Sequence, residues 1–180
     1  IYQTKKRPLN NPLICHFYKI EEIEKNFILK EKDYELADAF WPGPLTLILE
    51  KNINSKIISL VANNQNFVGC RIPNNDIALS LLSKLDFPIA APSANIATKT
   101  SVTSINDLDN NLKKIFHING GSSVLGLEST VIKTNDTGCK ILRLGSLTIE
   151  EIEKKFSNYK IEVTNSNISP GNQLKHYSPN

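Results

Sequence analysis

FVGCRIPNNDIALSLLSKLDFPIAAPSAN, residues 67–95, contains a complete strand–helix–strand pattern and decides the fold class. FVGCRI is a short apolar run that ends at Pro73, which is typical of a buried strand. Asn75 or Asp76 can cap a helix whose apolar residues, from Ile77 to Leu85, recur at helical spacing. FPIAAP then predicts a second short strand in the interior of a sheet. Strands that alternate with helices in this way indicate an α/β domain.

The same alternation continues on both sides of this stretch. Helices are predicted over 20–29 and 33–41. A capping box of Ser104 with Asp107 predicts the start of another helix, and a second box, of Thr148 with Glu151, predicts a helix that extends to Phe156. Strands are predicted over 45–49, 115–119, 129–134 and 140–144. From about Asn165 the chain is polar and aperiodic. We therefore predict a single α/β domain with a twisted mixed β-sheet flanked by helices over 1–162, and a linker or tail over 163–180.

The composition excludes some classes of protein and leaves others open. The 180 residues carry a formal net charge of only +3, which suits a small anionic ligand at least as well as a nucleic-acid surface. No apolar run approaches the roughly 20 residues that span a bilayer, and IYQTKKRP is not a signal peptide. We expect a soluble, cytoplasmic protein without a membrane partner. The three cysteines lie far apart, without a zinc-type cluster, and we expect buried thiols in strands.

Common catalytic motifs are absent from the sequence. It contains no GxxxxGK[ST] phosphate-binding loop and no GxSxG nucleophile motif. The three histidines are isolated and lack metal-ligand spacing, and a lone histidine is more often structural than a ligand. No protein metal site is therefore predicted.

Polar patches stand instead at predicted strand ends, where α/β proteins bind their ligands. TKKRPLNNPLICH (4–16) could form an anion-binding loop or a solvated basic surface. Arg71 ends an apolar strand, and a buried arginine needs a partner, for which a ligand carboxylate is well suited. APSAN (91–95), GLEST (126–130) and Arg143 in LRLG complete the set.

The order of these patches resembles one known family along most of the chain. KKRPLNNPLICH, FWPGPLTLIL, VGCRIP, APSAN, GLESTV and ILRLGS follow one another as in the YrdC-like family, whose fold is also called DHBP synthase-like. The resemblance covers about 1–162. The tail SPGNQLKHYSP resembles the interdomain linker of the family's long form.

The resemblance implies an activity and a set of ligands. Family members are threonylcarbamoyl-AMP synthases, nucleotidyltransferases that condense L-threonine, bicarbonate or CO2, and ATP, with Mg²⁺, into threonylcarbamoyl-AMP and pyrophosphate for tRNA modification. Downstream partners would be tRNA and tRNA-modification proteins. The covalent chemistry is a displacement at phosphorus, so that positioning and charge neutralisation carry the catalysis.

Roles for individual residues follow from the matching motifs. Lys5 and Arg7 match the catalytic basic motif that holds the triphosphate. The implied ATP contacts are Arg7, Asn11, the backbone at Phe67, Ser93, Asn95, Ser101, Arg143 and, in the tail, Tyr177. The implied threonine contacts are His16, Arg71, Ala91 and Ser129.

Three departures from the family pattern affect these expectations. Ile96-Ala97-Thr98 stands where the family has Ser-Gly after its SAN motif, and Arg143-Leu144-Gly145 replaces RPG. The family's N-terminal strand with its PTET…YGL motif is not in this sequence, nor is the C-terminal domain of the long form. From these differences and the absence of methionine, we expect a partial reading frame with little or no synthase activity.

Two alternative functions remain open from the sequence. One is the carbamoyl-transfer module of hydrogenase maturation proteins, which uses related adenylate chemistry. The other is a non-catalytic module that binds double-stranded RNA, although the sequence has no long basic stripe with interleaved aromatic residues.

Overall fold

The computed structural model describes residues 1–96, 99–123 and 126–164. Its α-helices are α1 (Tyr2–Lys5), α2 (Ile20–Glu24), α3 (Glu31–Phe40), α4 (Asp76–Leu82) and α5 (Ile149–Lys155). Its strands are β1 (Ile14–His16), β2 (Phe27–Ile28), β3 (Leu45–Lys51), β4 (Phe67–Arg71), β5 (Ile89–Ala91), β6 (Thr130–Asn135), β7 (Gly138–Arg143) and β8 (Lys160–Val163).

The eight strands form a mixed sheet in the order β5-β1-β4-β3-β6-β7-β8, with β2 paired to β3 outside this path. The pairs β1–β4, β3–β6 and β7–β8 are parallel, and the others are antiparallel. The prediction of a single α/β domain with a mixed sheet flanked by helices is confirmed.

The two faces of the sheet have different roles. Side chains alternate between faces along a strand, and Leu45, Leu47 and Leu49 of β3 belong to the main core. Residues from α2, α3, α4 and α5 pack into the same core. Thr46 and Ile48 point to the opposite face and are also buried. This second face carries the polar residues described below.

Several predicted elements match the structure. Helices α3 and α5 and the strands β3, β4, β6 and β7 lie where the sequence predicts them, within a few residues. The Thr148–Glu151 capping box forms, and the Asn75 side chain accepts a hydrogen bond from the Ala78 amide at the start of α4. Cys15, Cys70 and Cys139 are buried in β1, β4 and β7, as expected.

Two helix predictions are wrong. The helix predicted over 20–29 ends at Glu24, and the chain then forms β2, in which Phe27 is buried with its ring edge-on to Phe17. The apolar positions of this segment fit the helical period as well as the strand period. The packing of Phe27 against the core favours the strand. Beyond Ser104 only two 3₁₀ turns form, Ile105–Asp107 and Leu112–Lys114. The Ser104 hydroxyl accepts from the Asn106 amide, so the predicted capping box with Asp107 does not close.

Two strand predictions also differ from the structure. The strand predicted over 87–92 is shorter, and within the described residues it lies at an edge of the sheet, with β1 as its one partner. No strand forms over 115–119, where the Phe116 side chain is 89% exposed, because apolar alternation without a neighbouring strand does not stabilise a strand. Strands β1 and β8 lie where no apolar run predicted a strand.

In the part of the chain that the structure describes, no helix has the length and apolar character to cross a membrane. Residues 165–180 lie outside the described residues, and the predicted boundary at 162/163 stays a prediction.

Candidate active site

A cavity of about 270 Å³ opens on the second face of the sheet, near the ends of several strands. Its lining comes from six separate stretches of the chain. The lining residues are Arg7, Ile14, His16, Arg71, Ala91, Pro92, Ser93, Glu128, Ser129 and Arg143. Seven of the residues implied by the resemblance are in this list, so the structure brings together side chains that are far apart in sequence.

Strand register explains why three of them meet. His16 of β1 lies beside Arg71 of β4, and Ile14, two residues earlier, lies opposite Ala91 of β5. Paired residues in adjacent strands share a face. Gly69 pairs with Ile14 on the same face and leaves room for the neighbouring side chains. A Cβ at Gly69 would come within 3.2 Å of a Thr46 side-chain carbon and 3.3 Å of an Ile14 side-chain carbon.

Arg143 reaches the cavity because of an irregularity in the β6–β7 pairing. The register shifts between Val131 and Ile132, which pair with Arg143 and Ile141 respectively. Leu142 is left between these pairs and packs with Val131. Bulges of this kind re-aim a side chain at a strand end, and here the bulge places Arg143 on the cavity side of the sheet.

Arg71 lacks a carboxylate partner within the described residues. Its Nε donates to the Gly43 carbonyl at 2.9 Å, and no Asp or Glu of the described chain forms an ion pair with it. Burial, and then repulsion from Arg143, lower the pKa of the Arg71 guanidinium. A partly buried cation without an anionic partner favours an anionic ligand at this position.

Lys5 is buried behind the loop that follows β5. Its Nζ donates to the carbonyl of Ser93 at 2.6 Å and forms a short hydrogen bond to the carbonyl of Asn95. Ser93 Oγ lies 2.6 Å from Asn95 Oδ1, which ties the loop to itself. Burial, and then the charge of Arg7, lower the pKa of Lys5 to about 8. Lys5 therefore holds the 93–95 loop in this structure, and its contact with a triphosphate stays a prediction.

Arg7 is held by the turn that precedes β1. Its Nη2 donates to Asn11 Oδ1 at 2.7 Å and to the Pro12 carbonyl at 2.6 Å, and its Nε donates to the Asn11 carbonyl at 3.2 Å. Asn11 is itself buried. In this structure Asn11 orients Arg7 at the cavity wall, and its contact with ATP stays a prediction.

Glu128 is a cavity residue to which the sequence assigned no role. It lies in the GLEST motif and is the one carboxylate among the described residues that line the cavity. One carboxylate oxygen forms a short ion pair with Arg143 Nη1, and the other accepts from Ser101 Oγ at 3.0 Å. The signal that could have revealed it is a charge balance, because three arginines were predicted at one site without any counter-charge.

Ser129 connects Arg143 to the sheet. Arg143 Nη2 donates to the Ser129 carbonyl at 2.8 Å and to its hydroxyl at 3.1 Å, and that hydroxyl lies 2.8 Å from Thr46 Oγ1. All three side chains are buried. The hydroxyl predicted to contact threonine is therefore engaged with protein groups in this structure, at the edge of the cavity.

His16 has a buried polar atom without a partner. Its Nδ1 has no hydrogen-bond partner among the described residues, although it is shielded from solvent. Such orphaned buried atoms are uncommon and often mark the position of a bound ligand or water. Burial, and then the nearby charge of Arg71, lower the pKa of His16 to about 4, so the imidazole is neutral at pH 7.

This depressed pKa predicts a pH-dependent stability. Between about pH 6.5 and about pH 4 the unfolded chain binds a proton at His16 that the folded chain does not, so the free energy of unfolding falls as pH is lowered through this window. The loss is on the order of 3 kcal/mol. We expect urea unfolding of a His16→Gln variant to lose less stability between pH 7 and pH 4.5 than the wild type does. Equal losses in both proteins would contradict the assignment.

Among the described residues, four predicted ATP contacts do not line this cavity: Asn11, Phe67, Asn95 and Ser101. Phe67 begins β4, whereas Arg71 ends it, which separates their Cα atoms by ~13 Å. Its ring packs on Ile48, Val131 and Leu142 and lies 3.6 Å from Lys133 Nζ. Tyr177 lies outside the described residues. All of these nucleotide contacts stay predictions.

A second cavity of about 650 Å³ adjoins the first through Arg71, which lines both. Its walls include Pro44, Thr103, Leu108, Phe116 and Ser146. This volume is in the range of small-molecule sites. In the described part of the chain no three His, Cys, Asp or Glu side chains converge as a metal site would require.

Comparison with known proteins places this geometry in a family. The pattern of the Sua5, YciO and YrdC family, described as "Telomere recombination", matches residues 1–145. The chain is 37% identical to the threonylcarbamoyl-AMP synthase of Pyrococcus abyssi and 36% identical to that of Bacillus subtilis, in each case over 99% of this chain. It covers 55% and 54% of those proteins, so it spans about half the length of the curated relatives that it matches.

Solved structures give the same result. The crystal structure of P. abyssi Sua5 complexed with L-threonine superposes with a TM-score of 0.84 at 36% identity, over 99% of this chain and 54% of that chain. Escherichia coli YciO, at 19% identity and a TM-score of 0.69, shares the fold. With a family match over 145 of its 180 residues, this chain belongs to the Sua5/YciO/YrdC family.

Proposed function

We propose that this chain provides the catalytic domain of a threonylcarbamoyl-AMP synthase, which makes threonylcarbamoyl-AMP and pyrophosphate from L-threonine, bicarbonate or CO2, and ATP. The observation that carries the proposal is Arg71, a cation that lies between two cavities and forms no ion pair with any carboxylate of the described residues. The names of the P. abyssi and B. subtilis relatives support the reaction type.

The side chains that line the smaller cavity suit the functional groups of threonine. The Arg71 guanidinium would pair with its carboxylate, since a planar fork suits a carboxylate. The neutral His16 lies beside Arg71 in the wall of the cavity and would face the amine or hydroxyl. Ala91 and Ile14 offer an apolar wall to the methyl group.

The phosphates of ATP would lie against Arg7 and Arg143. In the proposed reaction the threonine amine captures CO2, and an oxygen of the resulting carbamate attacks the α-phosphorus while pyrophosphate leaves. Three arginines around one cavity would neutralise the charge that develops during this displacement. No covalent nucleophile of the protein is needed.

Mg²⁺ would enter as part of the Mg–ATP complex. Glu128 is the one carboxylate among the described lining residues, and its oxygens are engaged with Ser101 and Arg143. This donor set does not suit a metal ion held by the protein alone, because Mg²⁺ usually needs one or two carboxylates together with substrate phosphates. The described residues are therefore assigned no metal ligand. Delivery of the product to tRNA through modification proteins, in the cytoplasm, remains part of the proposal.

The double-stranded RNA alternative has less support. Of the cations in TKKR, Lys5 is buried and Arg7 is turned into the cavity, which leaves Lys6 as the exposed one. RNA duplexes are bound through many accessible cations. The hydrogenase-maturation alternative shares the fold, with a full-length HypF structure at 20% identity and a TM-score of 0.67.

The test is a pyrophosphate-release assay on the full 180-residue chain. Incubation with Mg–ATP and bicarbonate should release pyrophosphate only when L-threonine is added, at the low rate expected of this chain, and mass spectrometry should detect threonylcarbamoyl-AMP. Serine and valine serve as matched amino-acid controls, because they remove the methyl and the hydroxyl in turn. Release that requires an added carbamoyl donor in place of L-threonine would favour the hydrogenase-maturation type. Absence of both turnover and threonine binding would overturn the proposal.

A further inference from the structure

The charge balance of the smaller cavity points to Glu128. Arg7, Arg71 and Arg143 line this cavity together with a single carboxylate within the described residues. Burial lowers the pKa of Arg7 and of Arg71, and the negative charge of Glu128 opposes that effect in both cases. Glu128 thus stabilises a set of cations that would otherwise repel one another.

The contacts of Glu128 occupy positions that a ligand anion would take. Its carboxylate forms a short ion pair with Arg143, whose side chain is only 5% exposed, while the Glu128 side chain is 16% exposed. The other carboxylate oxygen accepts from Ser101, in the loop after β5. Glu128 therefore links the end of β7 to that loop through two hydrogen-bonded oxygens.

The backbone at Glu128 is fixed, so movement is confined to its side chain. The Glu128 carbonyl accepts from the Ser146 amide at 2.9 Å and from the Ser146 hydroxyl at 3.1 Å. Gly145 packs directly on the 128–129 backbone, and any side chain at 145 would collide with the Glu128 carbonyl. A rotation of the Glu128 side chain can consequently break its contacts with Arg143 and Ser101 without disturbing the strand ends.

From this arrangement we infer that Glu128 is a positioning residue that occupies the anion subsite on Arg143 until a phosphate group displaces it. Two anions on one guanidinium repel each other, so a phosphate that binds Arg143 drives the carboxylate away. Ser101 then loses its partner, and occupation of the subsite is transmitted to the 99–103 loop. The inference rests on the proposed function in one respect, that the ligand anion is a phosphate.

The test consists of two measurements. Calorimetry measures the affinity for pyrophosphate, and hydrogen exchange measures the protection of the 99–103 amides with and without pyrophosphate. Glu128→Gln keeps the shape and an acceptor for Ser101 but removes the competing charge. We expect this variant to bind pyrophosphate about tenfold more tightly than the wild type, which is the lower limit for one charge-assisted hydrogen bond. Weaker or unchanged affinity in a protein that melts cooperatively would overturn the inference, since a merely structural role predicts a loss.

Ser101→Ala is the second variant and does not alter any charge. In the wild type, pyrophosphate should change the exchange rates of the 99–103 amides, and in Ser101→Ala it should not. An equal response in both proteins would overturn the inference even if Glu128→Gln does not fold. The threonine-dependent assay separates the two proposals: turnover by the wild type together with unaltered pyrophosphate affinity in Glu128→Gln overturns the inference and leaves the proposed function standing.

Discussion

Replacing Arg71 with alanine is expected to weaken threonine binding by roughly 10- to 100-fold, because the carboxylate loses a charge-assisted pair of hydrogen bonds. ATP affinity should change far less, since Arg7 and Arg143 face the proposed phosphate positions and Arg71 is assigned to threonine. Calorimetric titration of the purified chain with each ligand separately measures both effects.

Arg71→Lys provides the matched control for charge. It keeps a cation at the end of β4 but cannot offer the planar fork, so its threonine affinity should lie between those of wild type and Arg71→Ala. Both variants lose the geometry of the bond to the Gly43 carbonyl, and thermal melting reports that cost separately. Equal losses for ATP and threonine in a well-folded variant would remove Arg71 from the threonine site.

The sequence predicts the fold better than the details of the site. Residues 67–95 reveal a strand–helix–strand unit because its strands are bounded by proline and its helix by Asn75, and these are local signals. The residues 115–119 have the same local character, yet no strand forms there. Whether an apolar run pairs depends on a neighbour that is distant in sequence, which local pattern does not contain.

In the site, too, features with a local sequence signal could be predicted and features that depend on distant contacts could not. Arg71 was predicted to need a ligand because a charge at the end of an apolar strand is unusual, and the structure gives it no carboxylate partner among the described residues. The role of Lys5 in holding the 93–95 loop could not be predicted, since it depends on a contact across about 90 residues. The β6–β7 bulge that re-aims Arg143 has no sequence signal either.

Arg143 is the residue whose loss should affect both binding and stability. Arg143→Ala removes an expected phosphate contact, and it also leaves the partly buried Glu128 carboxylate and the Ser129 carbonyl without their donor. Removing one member of a buried ion pair costs about 3–5 kcal/mol. Because the Glu128 side chain keeps 16% of its exposure, we expect a loss of about 2–3 kcal/mol in the free energy of unfolding.

The double variant Arg143→Ala/Glu128→Gln distinguishes an unpaired charge from a simple loss of packing. If the stranded carboxylate causes the instability, neutralising it should restore about 1–2 kcal/mol relative to Arg143→Ala alone. Urea unfolding of the wild type, both single variants and the double variant at pH 7 closes the cycle. Pyrophosphate affinity should stay low in the double variant, because the cation is gone whether or not its competitor is present. Additive destabilisation by the two substitutions would show that Glu128 and Arg143 do not act as a pair.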